Sequence, residues 1–360
     1  MLLWAQDLHL RPKMWVNEYE VIGDAYYALD QVADLAIEHK VEAVVLGGDL
    51  FHKNEIDGWS LEETMIFCGR LREHGIAMYA IEGNHDRSPK VSFCHALGMI
   101  DLGRVESPVE ISGITVMGLP PMSATKIQRA VAEVPPCQML VLHSAFQHLL
   151  GFEGSYQLKS EDIPAHIKSV FVGDVHVHSH IVSPEGVHIW SSGSTYPQRL
   201  SELEQEHGVF VVSGPETALF VPLRSRLFSY VDWRAEEGAA ALRERLEHVV
   251  KLGKDDKLTP VALVRSGNRV PLEASEGLRV ITIQLLPQEV ASEEEPLPEF
   301  GDDDATLLGC LPEVLNPEEN PEEHSLAAAL LASPATAAEQ VQEFIKERME
   351  DVESAKSTAA

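Results

Sequence analysis

Five short polar clusters carry the residue types that bind divalent metal ions, and each cluster follows closely on a short apolar run. The clusters are Asp7-Leu8-His9, Gly48-Asp49, Gly83-Asn84-His85-Asp86, His143 and Gly173-Asp174-Val175-His176. Carboxylate oxygens and imidazole nitrogens suit a divalent ion such as manganese, and this number of ligands is enough for two ions. Two ions about 3.5–4 Å apart can activate water and clamp both oxygens of an in-line phosphoryl displacement. Each cluster alone is typical of a polar turn, but the five together predict a two-metal phosphoesterase.

For these side chains to meet, the clusters must lie at strand ends. Apolar strands alternate with amphipathic helices up to about residue 190, which predicts a layered α/β domain. The predicted strands are Leu2–Ala5, Val41–Leu46, Ile76–Ile81, Ile114–Leu119, Met139–Leu142 and Val170–Val172, and the predicted helices are Asp24–His39 and Leu61–His74, the second ended by Gly75. Loops at the carboxyl ends of strands in open α/β sheets converge on one crevice.

Two local features support this convergence. Asp7 and His9 are two residues apart in a segment that we expect to be extended, which would direct both side chains the same way. Glycine precedes Asp49, Asn84 and Asp174, and would allow the close backbone approach that a compact site needs.

Beyond residue 190 the pattern predicts a small second domain and a tail. The predicted elements are short β segments between Phe210 and Val231, a helix over Glu236–Leu252, strands over Val261–Arg265 and Leu278–Leu285, an acidic linker at Glu293–Asp304, and tail helices at about 324–332 and 335–354. We therefore divide the chain into a metallophosphoesterase domain (1–225), an α+β cap domain (226–290), an acidic linker (291–322) and a helical C-terminal tail (323–360).

The overall charge argues against long-range attraction to nucleic acid. The 360 residues carry a formal net charge of −29. Such a surface repels a polyphosphate, so any contact with nucleic acid depends on local basic groups, metal ions or a partner. Residues 293–360 contain 18 acidic and 3 basic residues, a balance of −15, which leaves −14 for the rest of the chain. About half of the excess negative charge therefore lies in the tail.

Cysteine usage and hydropathy predict a cytoplasmic protein without a membrane span. Cys68, Cys94, Cys137 and Cys310 are scattered, which argues against a disulfide framework or a thiolate zinc site. The first ten residues lack a basic segment followed by a long apolar one, so we expect no signal peptide. No apolar run reaches the ~20 residues that a membrane helix needs.

These motifs resemble those of the calcineurin-like metallophosphoesterase superfamily. Within it the chain is similar to the SbcD-type nuclease subunit, which partners an SbcC-type SMC-like ATPase in DNA double-strand-break repair. The discriminating segment is Gly48-Asp49-Leu50-Phe51-His52, because protein phosphatases of the superfamily carry Asp-Arg-Gly shortly after that aspartate. Ser192-Gly193-Ser194-Thr195-Tyr196 and Glu202 also resemble the closing segment of the nuclease family. The resemblance covers roughly residues 1–220.

The resemblance implies a role for each site residue. The first metal ion would be held by Asp7, His9, Asp49 and His176, and the second by Asp49 as a bridge with Asn84, His143 and Asp174. His85 would contact the scissile phosphate and help to protonate the leaving oxygen, a task that suits an imidazole of near-neutral pKa. His52 would orient or assist His85; a loop residue without a role is the alternative.

One position departs from the pattern of the family. The last family motif is Gly-His-x-His, and here Asp174 stands in place of the first histidine. Aspartate can bind a hard divalent cation, but its charge and shorter reach alter affinity and metal preference. An alternative alignment uses His176 and His178, which share the strand parity of Asp174. We favour Asp174 and His176, because the glycine then falls where the family has it; His178, His180 and His188 would be surface or supporting histidines.

Basic residues follow the ligand motifs closely along the chain. Arg11, Lys53 and Arg87 are the predicted DNA contacts, and Lys13, Lys90 and Arg199 lie near them in the sequence. Converging loops would place these residues at the mouth of the site, where they would contact phosphates without reading bases. The alternative is ordinary solvated charge.

The resemblance also implies partners for the remaining regions. The cap would shape access of DNA, and the protein would form a homodimer. The tail would dock on the coiled coil of the ATPase through apolar positions such as Leu326, Leu330 and Phe344. Packing of the tail on its own domain is the alternative.

We therefore expect a DNA nuclease that uses two Mn²⁺ ions, with Mg²⁺ as an alternative. The resemblance implies 3′–5′ exonuclease and single-strand endonuclease activity in a repair and recombination complex. Two other functions stay open. The acidic surface favours a small-substrate phosphodiesterase of the same superfamily. If the change at Asp174 empties one metal site, the chain would be an inactive binding subunit of the ATPase complex.

Overall fold

The computed structural model describes residues 1–13, 21–87, 92–149, 156–254, 256–268, 270 and 277–284. Lys90, the acidic linker and the predicted tail helices lie outside these residues. In chain order the helices are α1 Asp24–Glu38, α2 Gly58–Glu73, α3 Phe93–Leu97, α4 Ala124–Ala132 and α5 Gly238–Leu252. The strands are β1 Leu2–Ala5, β2 Ala43–Gly47, β3 Ala77–Ile81, β4 Ile100–Asp101, β5 Val109–Ile111, β6 Ile114–Leu119, β7 Met139–His143, β8 Ser169–Gly173, β9 His178–Val182, β10 His188–Ser192, β11 Gly208–Gly214, β12 Thr217–Pro222, β13 Phe228–Asp232, β14 Val261–Ser266 and β15 Arg279–Gln284.

Two six-stranded sheets pack face to face. The first has the order β12-β11-β1-β2-β3-β4 and the second β5-β6-β7-β8-β10-β9. Aromatic rings fill the space between them, with Trp4 against Phe171 and Trp190 against Phe210, each pair with centroids 5.3 Å apart. The predicted layered α/β class is confirmed. The strands divide between two sheets, so the site loops come from both rather than from one open sheet.

The parallel part of each sheet supplies the strand ends that carry the polar clusters. Strands β1 to β4 are parallel to one another, as are β6, β7, β8 and β10. Their buried, branched and aliphatic side chains give the continuous apolar runs expected of strands covered on both faces.

Helices α1 and α2 cover the outer face of the first sheet. Helix α2 begins earlier than the predicted Leu61, because the Asp57 carboxylate accepts hydrogen bonds from the backbone N–H groups of Trp59 and Ser60. Its predicted end at Gly75 is confirmed: Gly75 has a φ of +69°, and the next residue, Ile76, donates back to the Leu71 carbonyl at 2.9 Å.

A third, smaller sheet follows the two large ones. Its order is β13-β14-β15, all parallel, and α5 packs on one face. Val261, Leu263 and Ile281 on this sheet join the apolar cluster that includes α1 and the first large sheet. The unit therefore shares its core with the main domain. The residue boundaries of the four predicted domains stay a prediction. Among the described residues, no helix is both long and apolar enough to cross a bilayer.

Candidate metal centre

The five polar clusters converge at one end of the two sheets. Asp7 and His9 follow β1, Asp49 follows β2, Asn84 and His85 follow β3, His143 ends β7, and Asp174 and His176 follow β8. Three groups of three side chains place ligand atoms within 4.8 Å of one another. The groups are Asp7, His9 and His176; Asp7, Asp49 and His143; and His9, His52 and His85. The crevice is therefore lined from both sheets by oxygen and nitrogen ligands.

Several of these residues adopt an unusual backbone conformation. The φ angles of Asp7, His9, Asp49 and Asp174 are +49°, +40°, +50° and +78°. The expectation that Asp7 and His9 lie in an extended segment is therefore wrong. The loops after β1 and β2 instead hydrogen-bond to each other, with the N–H of His9 donating to the Asp49 carbonyl at 2.8 Å. Left-handed backbone at non-glycine residues costs energy and clusters at functional sites.

All three predicted glycines are required by close packing, and a Cβ atom on Gly48, which has a φ of +94°, would lie 2.3 Å from His143 Nδ1. A Cβ atom on Gly83 would lie 1.9 Å from Asp49 Oδ1. A Cβ atom on Gly173 would lie 2.1 Å from the Gly47 carbonyl oxygen and 2.6 Å from His143 Nδ1. Only glycine fits at these positions. The absence of a side chain lets the backbone of one ligand loop contact the ligands of the next.

Asp49 lies between the two halves of the cluster. Its Oδ2 atom is 3.3 Å from His9 Nε2 and 3.4 Å from His143 Nε2, while its Oδ1 atom accepts a hydrogen bond from the backbone N–H of His85 at 2.9 Å. Burial works against the charged carboxylate, but the hydrogen bond and charge of His143 hold the pKa of Asp49 at about 2. This carboxylate therefore lies within reach of one histidine from each large sheet.

The imidazole of His143 is oriented by the backbone. Its Nδ1 atom donates to the Gly47 carbonyl at 2.9 Å, so its Nε2 atom faces the Asn84 amide group at 2.8 Å and Asp49 Oδ2 at 3.4 Å. The ring and the Asp49 carboxylate can share a cation, either a proton on Nε2 or a metal ion. Burial opposes a charged ring, yet the hydrogen bond to Asp49 and the charges of Asp7, Asp49 and Asp174 raise the pKa of His143 to about 10.

His176 is oriented in the same way by a carboxylate. Its Nδ1 atom lies 3.0 Å from Oε1 of the buried Glu202, which leaves Nε2 directed at the cluster. Histidines that bind metals usually donate their second ring N–H to a carboxylate or a backbone carbonyl. Glu202 was singled out in the sequence only as part of the closing segment, and the contact with His176 gives it a physical task.

The donor set fits divalent metal ions. Asp7 is fully buried, and burial raises its pKa to about 6 even though His143 and His176 lie nearby. Burial lowers the pKa of His9 to about 2, so this ring is neutral, and its Nε2 atom makes no hydrogen bond. Within the described part of the chain, no lysine or arginine pairs with Asp7 or Asp49. Among the described side chains, the counter-charge available to these carboxylates is limited to the titratable rings of His143 and His176, and a bound metal ion would supply the rest.

His85 and His52 form a stacked pair beside the cluster. Their ring centroids are 5.3 Å apart, and His85 Nδ1 donates to the His52 carbonyl at 2.9 Å, which leaves His85 Nε2 for other partners. Arg11 Nη1 lies 3.0 Å from His52 Nε2. Burial first, and then the charge of Arg11, lowers the pKa of His52 to about 4, so this ring accepts from the guanidinium as a neutral base.

Asp174 and His178 lie in different surroundings. Asp174 Oδ1 is 3.8 Å from His143 Nε2, and the Asp174 N–H donates to Asp7. The ring of His178 instead stacks on Phe220 with centroids 3.7 Å apart, at the edge of the two sheets. His180 stacks on Trp190 near the same edge and hydrogen-bonds to His188. Of the two alignments left open by the sequence, this geometry favours the one with Asp174 and His176.

Two further residues support the cluster, and sequence reasoning gave them no role. Gln6 is buried and donates to Asp7 Oδ2 at 3.0 Å, while its Oε1 atom accepts from Trp4 Nε1 at 2.9 Å. Asp86 accepts from the N–H groups of Gly83 and Phe51 at 2.7 and 3.2 Å, and burial raises its pKa to about 7. The sequence does contain a signal for Gln6, because it is a polar residue directly between an apolar strand and a ligand motif.

The predicted DNA contacts have different neighbours in the structure. Arg11 is half-buried between His52 and the Gln198 carbonyl, and Lys53 is exposed on the neighbouring loop. Arg87 is exposed and donates to the Pro121 carbonyl at 2.6 Å. Arg11 and Lys53, together with Lys13, line one cavity next to His52.

The two-sheet fold and its strand-end cluster of aspartate, asparagine and histidine resemble those of calcineurin-like metallophosphoesterases. Over 215 residues the chain is 26% identical to the DNA double-strand break repair protein Mre11 of Saccharolobus solfataricus, covering 56% of each chain. It is 24% identical over 216 residues to the Mre11 protein of Sulfurisphaera tokodaii, again covering 56% of each. These relatives confirm the predicted resemblance to the SbcD- and Mre11-type metallophosphoesterases.

The comparisons cover only part of the molecule. The chain spans about half the length of the curated relatives it matches. Among solved structures, a dimetal phosphatase from Danio rerio aligns with 61% of this chain and 98% of its own, at 9% identity and a TM-score of 0.36. No protein-family model matches the chain.

Proposed function

We propose that this protein is a metal-dependent nuclease that hydrolyses phosphodiester bonds in DNA, within a complex that repairs or recombines broken DNA. The observation that carries the proposal is the position of Asp49, whose carboxylate lies between His9 on one side and His143 on the other. The names of the Mre11 relatives support DNA as the substrate. The Leu-Phe-His continuation after Asp49 supports a nuclease rather than a protein phosphatase.

In this proposal the metal ligands are those inferred from the motifs. Asp7, His9, Asp49 and His176 hold one ion, and Asp49, Asn84, His143 and Asp174 hold the other. We propose Mn²⁺ as the physiological ion, with Mg²⁺ as the alternative, because the set mixes carboxylate, amide and imidazole ligands. Bound ions would activate a water molecule and neutralise charge on the phosphate.

The protein side chains complete the reaction. His85 Nδ1 is held by the His52 carbonyl, so His85 Nε2 is the atom that would deliver a proton to the departing sugar oxygen. His52, held by Arg11, fixes the position of this loop through its stacked ring. Arg11, Lys53 and Arg87 would contact phosphates of the strand and offset the repulsion of the acidic surface.

Activities and partners carried over from the resemblance belong to the same proposal. They are 3′–5′ exonuclease and single-strand endonuclease activity, and docking of the C-terminal tail on an SbcC-type ATPase. Homodimerisation is also proposed, because α2 exposes a broad apolar surface formed by Trp59, Leu61, Met65 and Ile66. A cytoplasmic location is consistent with buried, unpaired Cys68, Cys94 and Cys137.

The test compares two substrates that differ in their leaving group. Wild type, His85→Ser and the matched control His166→Ser, an exposed histidine away from the cluster, are assayed with Mn²⁺ or Mg²⁺ on end-labelled linear DNA and on a nitrophenyl phosphodiester. We expect His85→Ser to slow DNA cleavage by about 10²-fold or more, the range of general acid catalysis. Hydrolysis of the nitrophenyl phosphodiester should slow less, because nitrophenolate is a good leaving group that departs without a proton. His166→Ser should match wild type on both substrates.

The other outcomes identify the alternative functions. Turnover of the dye without cleavage of DNA would favour a phosphodiesterase for small substrates. No turnover of either substrate, together with fewer than two bound metal ions per chain, would indicate an inactive binding subunit. Equal losses on DNA and dye in His85→Ser would contradict the role of His85 as the proton donor.

A further inference from the structure

A cavity of about 300 Å³ lies beside the metal centre. Its floor is formed where the loops after β1 and β2 hydrogen-bond to each other. The N–H of Leu10 donates to the Leu50 carbonyl at 2.8 Å, and the N–H of His52 donates to the Leu10 carbonyl at 3.3 Å. The lining residues, called here the side pocket, are Leu10, Arg11, Pro12, Lys13, Phe51, His52, Lys53, Glu55, Ile56 and Asp57. The floor of the pocket is therefore part of the hydrogen-bonded scaffold of the two loops.

The side pocket combines an apolar interior with a cationic border. Leu10 and Phe51 are buried beneath it, and Ile56 at the rim is 37% exposed. Its lining residues include three basic and two acidic ones. One of the acidic residues, Asp57, accepts hydrogen bonds from backbone N–H groups at the start of α2. This patch is locally positive in a chain of net charge −29. An apolar slot bordered by cations suits a flat ring attached to phosphates.

The pocket and the metal centre share a wall. His52 lines the pocket, and its ring centroid is 5.5 Å from that of the predicted ligand His9 and 5.3 Å from that of His85. The ring of His52 therefore lies between a group held in the pocket and these two histidines. A group in the pocket would lie next to a phosphate bound at the metal centre.

We infer that the side pocket receives the unpaired base of a nucleotide that flanks the scissile phosphate. The inference rests on the proposed nuclease function and adds a base subsite to it. A volume of about 300 Å³ is at the lower end of ligand pockets, roughly 300–1,000 Å³, so it holds one nucleoside but not a base pair. Apolar contact with the face of a base is tolerant of sequence, because every base has a π-face. The subsite therefore selects strands whose base is free, in single-stranded DNA or at a frayed end, without reading its identity.

The test removes the base from the substrate and blocks the pocket in the protein. Single-stranded oligonucleotides with and without one abasic residue are cleaved, and the rate at each bond is compared. Wild type should cleave a bond that flanks the abasic residue about tenfold more slowly than the same bond in the intact strand, an effect within the range measured for stacking of one base. Bonds several nucleotides away provide the internal reference.

The variant Ile56→Trp places an indole where the base would lie. This variant should cleave the intact strand as slowly as wild type cleaves the bond that flanks the abasic residue. Removing the base from the substrate should not slow the variant further. Leu219→Trp is the matched control on β12, where Leu219 is 62% exposed, and it should keep the wild-type difference. Because each protein is compared with itself on two substrates, altered metal binding does not enter the ratio.

Two outcomes overturn the inference in distinguishable ways. If wild type cleaves DNA but treats intact and abasic bonds alike, the base subsite is wrong and the nuclease function stands. If wild type cleaves no DNA with either metal ion, the proposed function fails and the subsite fails with it. A tenfold difference that persists in Ile56→Trp would place the base elsewhere and would also contradict the inference.

Discussion

The metal centre and the junction between α1 and the third sheet both bury charged groups, but they balance the charge differently. At the junction, the Arg226 guanidinium donates to both carboxylate oxygens of Asp24, at 2.9 and 2.8 Å, and to the carbonyls of Thr259 and Ile22, each at 2.6 Å. At the metal centre, Asp7 is equally buried, yet its neighbours are histidines, Gln6 and other carboxylates.

This difference separates a structural buried charge from a functional one. A buried ion pair that satisfies all its hydrogen bonds inside the chain fixes two parts of the fold relative to each other. A buried carboxylate with only neutral or titratable neighbours stays poorly stabilised until a cation arrives. The junction is therefore complete within the protein, whereas the metal centre is built to be completed by metal ions.

The largest effect is expected at the junction. Arg226→Met leaves the Asp24 carboxylate buried without its partner, so the free energy of unfolding should fall by about 3–5 kcal/mol. Urea unfolding followed by tryptophan fluorescence measures this change. Arg224→Met is the control, because the Arg224 side chain is exposed and such substitutions stay within about 0.5 kcal/mol. Adding Asp24→Leu to Arg226→Met should recover part of the loss; no recovery would show that the pairing is not what stabilises the junction.

At the metal centre of metal-free protein, substitution of a buried charged residue should increase the free energy of unfolding instead of lowering it. The pKa of Asp7 is about 6 in the folded chain against an ordinary value of 3.8, so its favourable contribution is fully present below about pH 3.8 and is lost as the pH rises through 6. The variant Asp7→Asn carries an amide that mimics the neutral carboxyl group. In a metal chelator the variant should therefore gain on wild type by on the order of 3 kcal/mol between pH 4 and pH 7, at about 1.36 kcal/mol per pKa unit.

Metal ions should reverse that order. Ligand at about 1,000 times its dissociation constant stabilises a folded protein by about 4.1 kcal/mol, which exceeds the advantage of the variant, and only wild type keeps the charged Asp7 ligand. Thermal unfolding with and without Mn²⁺, at pH 5 and pH 7, measures both effects. Asp256→Asn, at an exposed aspartate, is the control. A lower stability of Asp7→Asn than of wild type in chelator at pH 7 would show that burial does not disfavour the ionised carboxylate of Asp7.

The same contrast explains what the sequence could and could not predict. Strands β1 to β3, helix α1 and the end of α2 follow from local apolar patterns and from Gly75, so their positions were predicted closely. The ligand residues stood out because metal chemistry restricts residue types. The left-handed backbone at Asp7 and His9 was not predicted, because neighbouring loops impose it through hydrogen bonds. Arg226 and Asp24 are 202 residues apart, and no local pattern marks such a pair.

A smaller effect is expected where the metal centre does rely on a charge from the protein. Glu202 Oε1 lies 3.0 Å from His176 Nδ1, and its Oε2 atom accepts from the Gln198 N–H at 2.8 Å, so the carboxylate fixes the ring and makes it a more basic ligand. Substitution of such supporting groups typically weakens metal binding by about 10–100-fold. Glu202→Gln should lie near tenfold, because the amide oxygen still accepts from Nδ1 and only the charge is lost. Titration calorimetry with Mn²⁺ measures the change against Glu204→Gln, whose carboxylate is exposed. An unchanged affinity in Glu202→Gln would mean that the hydrogen bond to His176 is sufficient, and that the negative charge of Glu202 does not contribute to metal binding.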